Sequence, residues 1–277
     1  MRNWTFGTPK VAYISGGGSG IGLNIANVLL GEGCSVALFD LKFDDEVLRQ
    51  LRNQCRASQK VEVYVVDITD PQAVDAAMDE AAQTLGAADL ALNSAGILRT
   101  GVFTEMPYET FEQVVRINLL GSRNFAASAL RHMHSGSHLV LVASLAGIVG
   151  TYTQAAYVAS KHGVVGLAEV LRLEQKLKGI DVSVICPGEI STPLLTYERE
   201  HGSNVTKRLN EIAGVLTVDE AVSGIMKGLR SREFMITPGF RAKILRAVAR
   251  KASGLFRRTI DINLAKAIAE DQALSLK

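Results

Sequence analysis

Residues 10–22 read KVAYISGGGSGIG, a short β-branched and aromatic run followed at once by a cluster of glycines. The run has the composition of a buried strand, and a helical pattern follows the glycines. Glycines let the backbone turn tightly and approach a bound group, and a helix N-terminus offers free N–H groups with a partial positive charge. The stretch therefore predicts a turn that binds the pyrophosphate of a dinucleotide, although flexible glycine turns are also common. The turn contains Gly16, Gly18, Ser19, Gly20, Ile21 and Gly22.

Five further apolar runs have the composition of strands, and they occupy residues 35–40, 61–67, 89–93, 138–144 and 181–186. Amphipathic stretches lie between them, such as 71–85, which Asp70 opens, and 108–133. Alternating strands and helices indicate parallel strands joined by right-handed crossovers. Because the strands are apolar throughout, helices should cover both faces of the sheet. We predict an α/β fold with one Rossmann-type, doubly wound parallel sheet of about seven strands in residues 1–239. A basic helical tail should follow in residues 240–277.

The composition narrows the class of protein. The chain has 277 residues, 47% of them hydrophobic, and a net charge of +2, which predicts no strong attraction to nucleic acid. Its three cysteines are too far apart for a disulfide framework or a zinc site, and they fit a reducing cytoplasm. His132, His134 and His138 also lack the spacing of a metal site and are expected at the surface, so no metal is predicted.

The termini and the apolar runs bear on targeting. Residues 1–10 are too short and too polar for a signal peptide. The longest apolar run, 139–150, falls well short of the roughly 20 residues that cross a bilayer. We therefore expect a cytoplasmic protein.

Two carboxylates end predicted strands. Asp40 ends the second strand, 18 residues after Gly22, where a carboxylate can accept hydrogen bonds from both hydroxyls of an adenosine ribose. The same charge would repel a 2′-phosphate, so Asp40 favours NAD over NADP; Lys42 could soften that preference. Asp67 ends the third strand and could bind the adenine amino group. For both residues the alternative is a cap on the following turn. The adjoining Leu41 and Ile68 are assigned to the same site.

A second group of residues carries chemistry. Tyr157 and Lys161 are four residues apart in a helical stretch and therefore share a face. A neighbouring ammonium favours the phenolate, so Lys161 is expected to lower the pKa of Tyr157 from its ordinary value of about 10. Ser144 ends the fifth strand, at the edge where such sheets bind ligands. Tyr157 could then give a proton to a carbonyl or take one from an alcohol. The alternative is an amphipathic helix with a Tyr and a Lys on its surface.

Together these motifs resemble the classical short-chain dehydrogenase/reductase family, over roughly residues 8–238. Ser15 stands where the family's glycine motif has Thr and keeps the hydroxyl. The family's Asn-Asn-Ala-Gly motif appears as residues 93–96 with Ser94 at its second position. The resemblance implies that Asn93, Ala95 and Gly96 shape the cofactor site. It also implies that Pro187, Gly188, Ile190 and Thr192 form the segment that holds the nicotinamide carboxamide.

The resemblance further implies a catalytic tetrad of Asn118, Ser144, Tyr157 and Lys161 acting on a carbonyl or alcohol substrate. In the family, the Asn supports a water that relays protons to the lysine, and the lysine also binds the nicotinamide ribose. Residues 193–214 would form a mobile lid over the substrate. Members are usually dimers or tetramers, and the Tyr157 helix would belong to the interface.

The C-terminal tail is strongly basic. Between residues 236 and 260 there are seven basic residues and no acidic one: Arg241, Lys243, Arg246, Arg250, Lys251, Arg257 and Arg258. Apolar residues, among them Ile244, Leu245 and Phe256, fall near one helical face. Such a helix is typical of peripheral contact with a membrane surface or an acidic partner, here through residues 240–260. The alternative is a helix packed on its own core or on a dimer mate.

The tail and the lid are also loosely similar to the 3-ketosphinganine reductases. Those enzymes prefer NADPH, whereas Asp40 favours NAD here. With the apolar Leu145, Ala146 and Val149 after Ser144, these features predict a lipophilic substrate. The competing hypotheses are a non-catalytic dinucleotide-binding protein and a protein whose basic tail binds a membrane or partner. The presence of Ser144, Tyr157 and Lys161 together favours an enzyme.

Overall fold

A seven-stranded parallel sheet forms the centre of the computed structural model, which describes residues 4–210 and 214–275. Its strands are β1 (Val11–Ser15), β2 (Ser35–Asp40), β3 (Val61–Val65), β4 (Ala88–Asn93), β5 (Met133–Val142), β6 (Asp181–Ile185) and β9 (Met235–Ile236). They lie in the order β3-β2-β1-β4-β5-β6-β9, and β7 (Glu189–Ile190) pairs separately with β8 (Val215–Leu216). The predicted fold class is confirmed.

Helices cover both faces of the sheet. The larger ones are α1 (Gly20–Gly31), α2 (Asp45–Asn53), α3 (Pro71–Leu85), α4 (Tyr108–Val115), α5 (Gly121–Ala129), α6 (Ala155–Lys176) and α9 (Val218–Arg230). Tyr13 and Ile14 are adjacent in β1, and each is fully buried in a different one of the two main cores. Successive side chains of a strand point to opposite faces, so both faces of β1 are packed.

The helix predicted over 108–133 is interrupted. A turn of π-helix over residues 116–120 separates α4 from α5, and β5 begins at Met133. Gly121, just after the π-turn, packs on Ile68 so closely that a Cβ would lie 2.7 Å from its Cγ2 atom. The π-turn contains Asn118, whose side chain is fully buried. Such single π-turns occur frequently at functional sites, and the apolar periodicity of the sequence did not reveal this one.

The tail forms two helices, α10 (Phe240–Lys251) and α11 (Ser253–Ser275), which pack on the rest of the chain. Arg246 of α10 donates hydrogen bonds to the Met235 carbonyl (2.6 Å) and the Thr237 hydroxyl (3.0 Å). In α11, Glu270 pairs with Arg208 of α8 (Asn204–Asn210). The tail therefore packs on its own core, which is one of the alternatives given above. Within the described ranges, no helix is both long and apolar enough to cross a membrane.

His138 corrects the expectation that the three clustered histidines lie at the surface. It is 2% exposed in β5, and its Nε2 atom lies 2.7 Å from the Ser183 hydroxyl. His132 and His134 instead pair with Asp79 and Asp89. Burial lowers the pKa of His138 to about 3, because the charged ring would lose its hydration.

This burial predicts acid sensitivity. The ordinary pKa is 6.5, so below that pH the unfolded chain takes up a proton that the folded chain refuses. The stability of the wild type relative to His138→Leu should fall by about 1.4 kcal/mol per pH unit from 6.5 downwards. Urea unfolding of both proteins at several pH values measures this. A difference that stays constant from pH 6.5 to 4.5 would show that His138 is protonated in the folded state.

Candidate functional site

A cavity of about 1170 Å³ lies at the carboxyl edge of the sheet, where the strands of this topology bind ligands. It brings together most of the residues predicted from the sequence. Those lining it are Ser15, Gly16, Ser19, Gly20, Ile21, Asp40, Leu41, Asp67, Ile68, Ala95, Gly96, Ser144, Tyr157, Lys161, Pro187, Gly188, Ile190 and Thr192. Gly18, Gly22, Asn93 and Asn118 are not among the lining residues.

The glycine turn is packed so tightly that larger residues do not fit. A Cβ on Gly16 would lie 2.7 Å from the backbone nitrogen of Ala95, and one on Gly22 would lie 2.3 Å from the Gly16 carbonyl oxygen. Helix α1 begins at Gly20, and the side chain of its N-cap, Ser19, makes no capping hydrogen bond. The first N–H groups of α1 are therefore left for an anion at this end of the cavity.

Ser15 and Asn93 fasten this turn to the neighbouring strand. The Ser15 hydroxyl donates to Asn93 Oδ1 (2.5 Å) and accepts weak bonds from the backbone N–H groups of Ser94 and Ala95. Asn93 in turn donates to the Ser122 hydroxyl (2.7 Å). The motif of residues 93–96 therefore holds the glycine turn in place from behind, with only Ser94, Ala95 and Gly96 reaching the cavity.

Asp40 and Asp67 both cap turns and line the cavity. The Asp40 carboxylate accepts from the backbone N–H groups of Gly18 (2.9 Å) and Leu41 (2.7 Å). That of Asp67 accepts from the Thr69 N–H (2.8 Å). The capping alternative and the cofactor-binding prediction are thus compatible at both positions, since a carboxylate has further lone pairs to offer a ligand.

Tyr157 and Ser144 meet inside the cavity. Tyr157 lies in the first turn of α6 and is 7% exposed, and both it and Ser144 line the cavity. Burial raises the pKa of Tyr157 to about 12, and the carboxylate of Glu198 acts in the same direction, whereas the side chain of Ser144 opposes both. This corrects the expectation that Lys161 lowers the pKa of Tyr157: the pKa is raised, because burial deprives the phenolate of its hydration.

Lys161 is buried one helical turn along α6. Its Nζ atom donates to the Val142 carbonyl (2.9 Å) and lies 5.6 Å from the centre of the Tyr157 ring. Burial lowers the pKa of Lys161 to about 8, so much of its charge is lost in mildly alkaline solution. The lysine is therefore a partly charged group at the back of the Tyr157 site.

Asn118 lies behind the cavity and clamps its wall. Its Oδ1 accepts from the Ile97 N–H (2.8 Å), and its Nδ2 donates to the Ile97 carbonyl (2.9 Å) and the Ser160 hydroxyl (3.0 Å). A Cβ on Gly96 would lie 3.1 Å from Asn118 Oδ1 and 3.4 Å from Lys161 Nζ, so both groups lie close to that glycine. The water relay implied for Asn118 stays a prediction.

The lid is fastened over Tyr157. It comprises α7 (Pro193–His201) and α8, and the buried Gln154 Nε2 atom, just before α6, donates to Glu198 Oε1 of α7 (2.9 Å). Thr206 of α8 donates to the Tyr152 carbonyl (3.1 Å). Of the predicted lid, 193–214, residues 211–213 lie outside the described residues, and its described part contributes to the cavity lining. Gln154 was not predicted, because an amide before a helix carries no distinguishing pattern.

One wall of the cavity comes from the tail. Leu245 of α10 and Phe256, Ile260 and Leu264 of α11 line it, as do Leu194 and Leu195 of the lid. The sequence placed Leu245 and Phe256 on an apolar helical face, but the surface covered by that face depends on tertiary packing. The part of the cavity beyond Tyr157 is therefore largely apolar.

Comparison with known proteins agrees with this geometry. A family model described as "short chain dehydrogenase" matches residues 10–202. The chain belongs to the short-chain dehydrogenase family. It is accordingly an oxidoreductase of CH–OH groups. The similarity to the 3-ketosphinganine reductases remains loose.

Two relatives of this short-chain dehydrogenase have named activities. The cyclohexanol dehydrogenase of Acinetobacter sp. is 35% identical over 69% of this chain and 77% of its own. The D-beta-hydroxybutyrate dehydrogenase of Rhizobium meliloti is 31% identical over 73% of this chain and 82% of its own. Their names describe an apolar alcohol and a charged one.

Two solved structures share the fold. The 3-oxoacyl-[acyl-carrier protein] reductase from Brucella melitensis, in complex with NAD, is 23% identical with a TM-score of 0.71 over 83% of this chain and 95% of its own. A short chain dehydrogenase from Burkholderia cenocepacia, in complex with NADP, is 23% identical with a TM-score of 0.72 over 82% of this chain and 95% of its own. At this identity the two structures support the fold, and the choice between the two cofactors must come from this chain's own residues.

Proposed function

We propose that the protein transfers a hydride between NAD(H) and a lipophilic secondary alcohol or ketone, with Tyr157 as the acid/base residue. The observation that carries the proposal is that Tyr157, Ser144 and Lys161 line one cavity together with the glycine turn and with apolar residues of the lid and the tail. A structural role alone would not require a buried phenol and a buried ammonium in the same pocket.

The residues present fit a nicotinamide dinucleotide. The glycine turn leaves no room for side chains beside the N-terminus of α1, which suits a pyrophosphate. Asp40 would hold the adenosine ribose, Asp67 the adenine, Lys161 the nicotinamide ribose, and Ile190 with Thr192 the carboxamide. When bound, the nicotinamide supplies or accepts the hydride.

The chain's own groups would manage the proton. In ketone reduction, the protonated Tyr157 donates to the developing alkoxide, and the Ser144 hydroxyl holds the same oxygen by a hydrogen bond. In alcohol oxidation, Tyr157 must first lose its proton, and the charges of Lys161 and of an oxidised cofactor would favour that loss. Asn118 acts behind them by fixing the position of Ile97 and Ser160.

The preference for NAD rests on the Asp40 carboxylate and can be tested by titration. Calorimetry with NAD(H) and NADP(H) on the wild type and on Asp40→Ala should show a preference for NAD(H) that the substitution removes. The loss of charged hydrogen bonds predicts roughly 10- to 100-fold weaker NAD(H) binding.

Asp70→Asn provides the matched control, because this carboxylate caps α3 outside the cavity. It should leave the affinity for NAD(H) unchanged. A wild type that prefers NADP(H) would overturn the role of Asp40. Binding of neither cofactor would favour a protein that acts through its tail.

Helix α6 also presents an apolar surface that supports a homo-oligomer. Val170, Leu173 and the C-cap residue Leu177 are exposed at spacings of three and four residues, so they form one stripe along the end of the helix that carries Tyr157. Leu173→Glu should therefore dissociate a dimer or tetramer in light scattering. Phe6→Glu, which changes an exposed aromatic residue elsewhere, should not. An assembly that Leu173→Glu leaves intact would place the interface on another surface.

A further inference from the structure

Helix α10 is apolar on two opposite faces. One face packs inwards, with Ala242 buried and Leu245 in the cavity wall. On the other face, Phe240, Ile244 and Val248 follow one another at intervals of four residues and are 78%, 48% and 37% exposed. Residues four apart share a side of a helix, so these three form a continuous stripe. An exposed apolar stripe of this kind marks a surface that contacts a partner or a membrane.

Exposed cations surround the stripe. Arg241, Lys243 and Lys251 of α10 lie beside it, and Arg257 and Arg258 follow in the first turns of α11. Throughout residues 4–210 and 214–275, none of these five takes part in an ion pair. The segment from 234 to 260 contains no acidic residue. The exposed Leu255 adds apolar surface at the start of α11.

Two of the seven basic residues between 236 and 260, by contrast, serve the fold. Arg246 donates to Met235 and Thr237, and Arg250 lies 3.9 Å from a carboxylate oxygen of Glu169. The other five cations make no ion pair with a described residue, and three of them lie on the same helix as the exposed apolar stripe. This grouping points to a partner that is both anionic and apolar.

We propose that a surface of α10, consisting of Phe240, Ile244 and Val248 with Arg241, Lys243 and Lys251 and continued by the two cations of α11, docks on an anionic phospholipid membrane. A helix with this pattern lies in the plane of the membrane, with its apolar side chains below the headgroups and its basic ones among them. A second copy of the chain is a poorer partner, because it would bring like charges together. Nucleic acid would neutralise the cations but leave the apolar stripe uncovered.

The docking would bring the cavity close to the membrane. Leu245 lines the cavity from the inner side of the same helix whose outer side carries the stripe. A helix with its side chains is about 10 Å across, so only one helix would separate the apolar part of the cavity from lipid. The docking does not depend on turnover, so it can be tested even if the proposed function fails.

The test is co-sedimentation of the full-length protein with vesicles. Binding should be strong to vesicles that contain phosphatidylglycerol and weak to those of phosphatidylcholine alone, and salt should release it. A triple substitution of Arg241, Lys243 and Lys251 to Gln should weaken partitioning about 100-fold at low salt, at roughly fivefold per cation. Phe240→Ser combined with Ile244→Ser should weaken it as well, because less apolar surface enters the membrane.

Two control variants test whether vesicle binding depends on this surface or on exposed charges and apolar side chains anywhere on the protein. Substitution of Lys10, Arg52 and Lys60 to Gln removes the same charge from exposed positions elsewhere, and Phe6→Ser combined with Val65→Ser removes exposed apolar side chains. Both control variants should bind like the wild type. Failure to bind anionic vesicles, or equal loss in the controls, would overturn the proposal. So would a change of oligomeric state in Phe240→Ser combined with Ile244→Ser without vesicle binding, because a second copy would then cover the stripe.

Discussion

Tyr157→Phe should lower kcat by roughly 10²- to 10⁴-fold, the range that a positioned acid or base contributes. The substitution removes only the hydroxyl, so the ring should stay buried against its neighbours and the cofactor should still bind. Steady-state assays of secondary alcohol oxidation and ketone reduction measure kcat, and calorimetry measures the affinity for NAD(H). Tyr108→Phe is the matched control, because that tyrosine is 72% exposed and lies outside the cavity.

The pH profile gives an independent readout of the same residue. Burial raises the pKa of Tyr157 to about 12, so the phenol remains protonated through neutral pH. Ketone reduction uses the protonated form and should change little with pH in this range. Alcohol oxidation uses the deprotonated form, which increases about tenfold per pH unit below the pKa, so its rate should rise with pH.

A Tyr157→Phe enzyme that keeps more than a tenth of its kcat would contradict the acid/base role.

The residues at strand ends were the most predictable part of the site. Asp40, Asp67 and Ser144 all end predicted strands, and the carboxyl ends of parallel strands meet at one edge of a sheet. Once the alternation of strands and helices was recognised, the meeting of these residues followed from topology alone. The structure places all three on the cavity.

Asn118 and Tyr157 each have a property that could not be predicted from the sequence. The π-turn around Asn118 inserts one extra residue into a helical pattern, and apolar periodicity is too coarse to detect it. The spacing of Tyr157 and Lys161 correctly predicted a shared face, but the pKa of Tyr157 depends on how deeply both groups are buried. Burial is a property of the whole fold, so the direction of the pKa shift could not be predicted.

The tail was the least predictable element. Its charge pattern was evident from the sequence, but α10 has apolar residues on both its inner and outer faces, and a single amphipathic pattern does not separate them. The structure divides these roles, with Leu245 turned inwards and Ile244 outwards. Residues adjacent in sequence thus belong to different surfaces, and only the packing of α10 distinguishes them.

A homologous series of 2-alkanols should show rising kcat/KM with chain length. Each methylene that enters the apolar part of the cavity is worth about 0.8 kcal/mol, which corresponds to roughly a fourfold gain per methylene. Over five methylenes the gain would reach about 1,000-fold. The increase in kcat/KM should stop when the alkyl chain of the substrate fills the apolar part of the cavity, because longer alkyl chains must then displace Phe256 or Ile260. The position of that plateau measures the length of the substrate pocket.

Two variants of α11 test whether the gain with chain length comes from contacts with the cavity wall rather than from the hydrophobicity of the substrate alone. Ile260→Ser combined with Leu264→Ser places hydroxyls on the cavity wall, so the slope should flatten while turnover of 2-butanol changes little. Ile262→Ser lies on the same helix but is 62% exposed, so it should keep the wild-type slope. A flat series in the wild type would mean that the natural substrate is polar. That result would not contradict the proposed chemistry at Tyr157. The chemistry depends on the carbon that bears the hydroxyl group, whereas the dependence of kcat/KM on chain length reports the residues around the rest of the substrate.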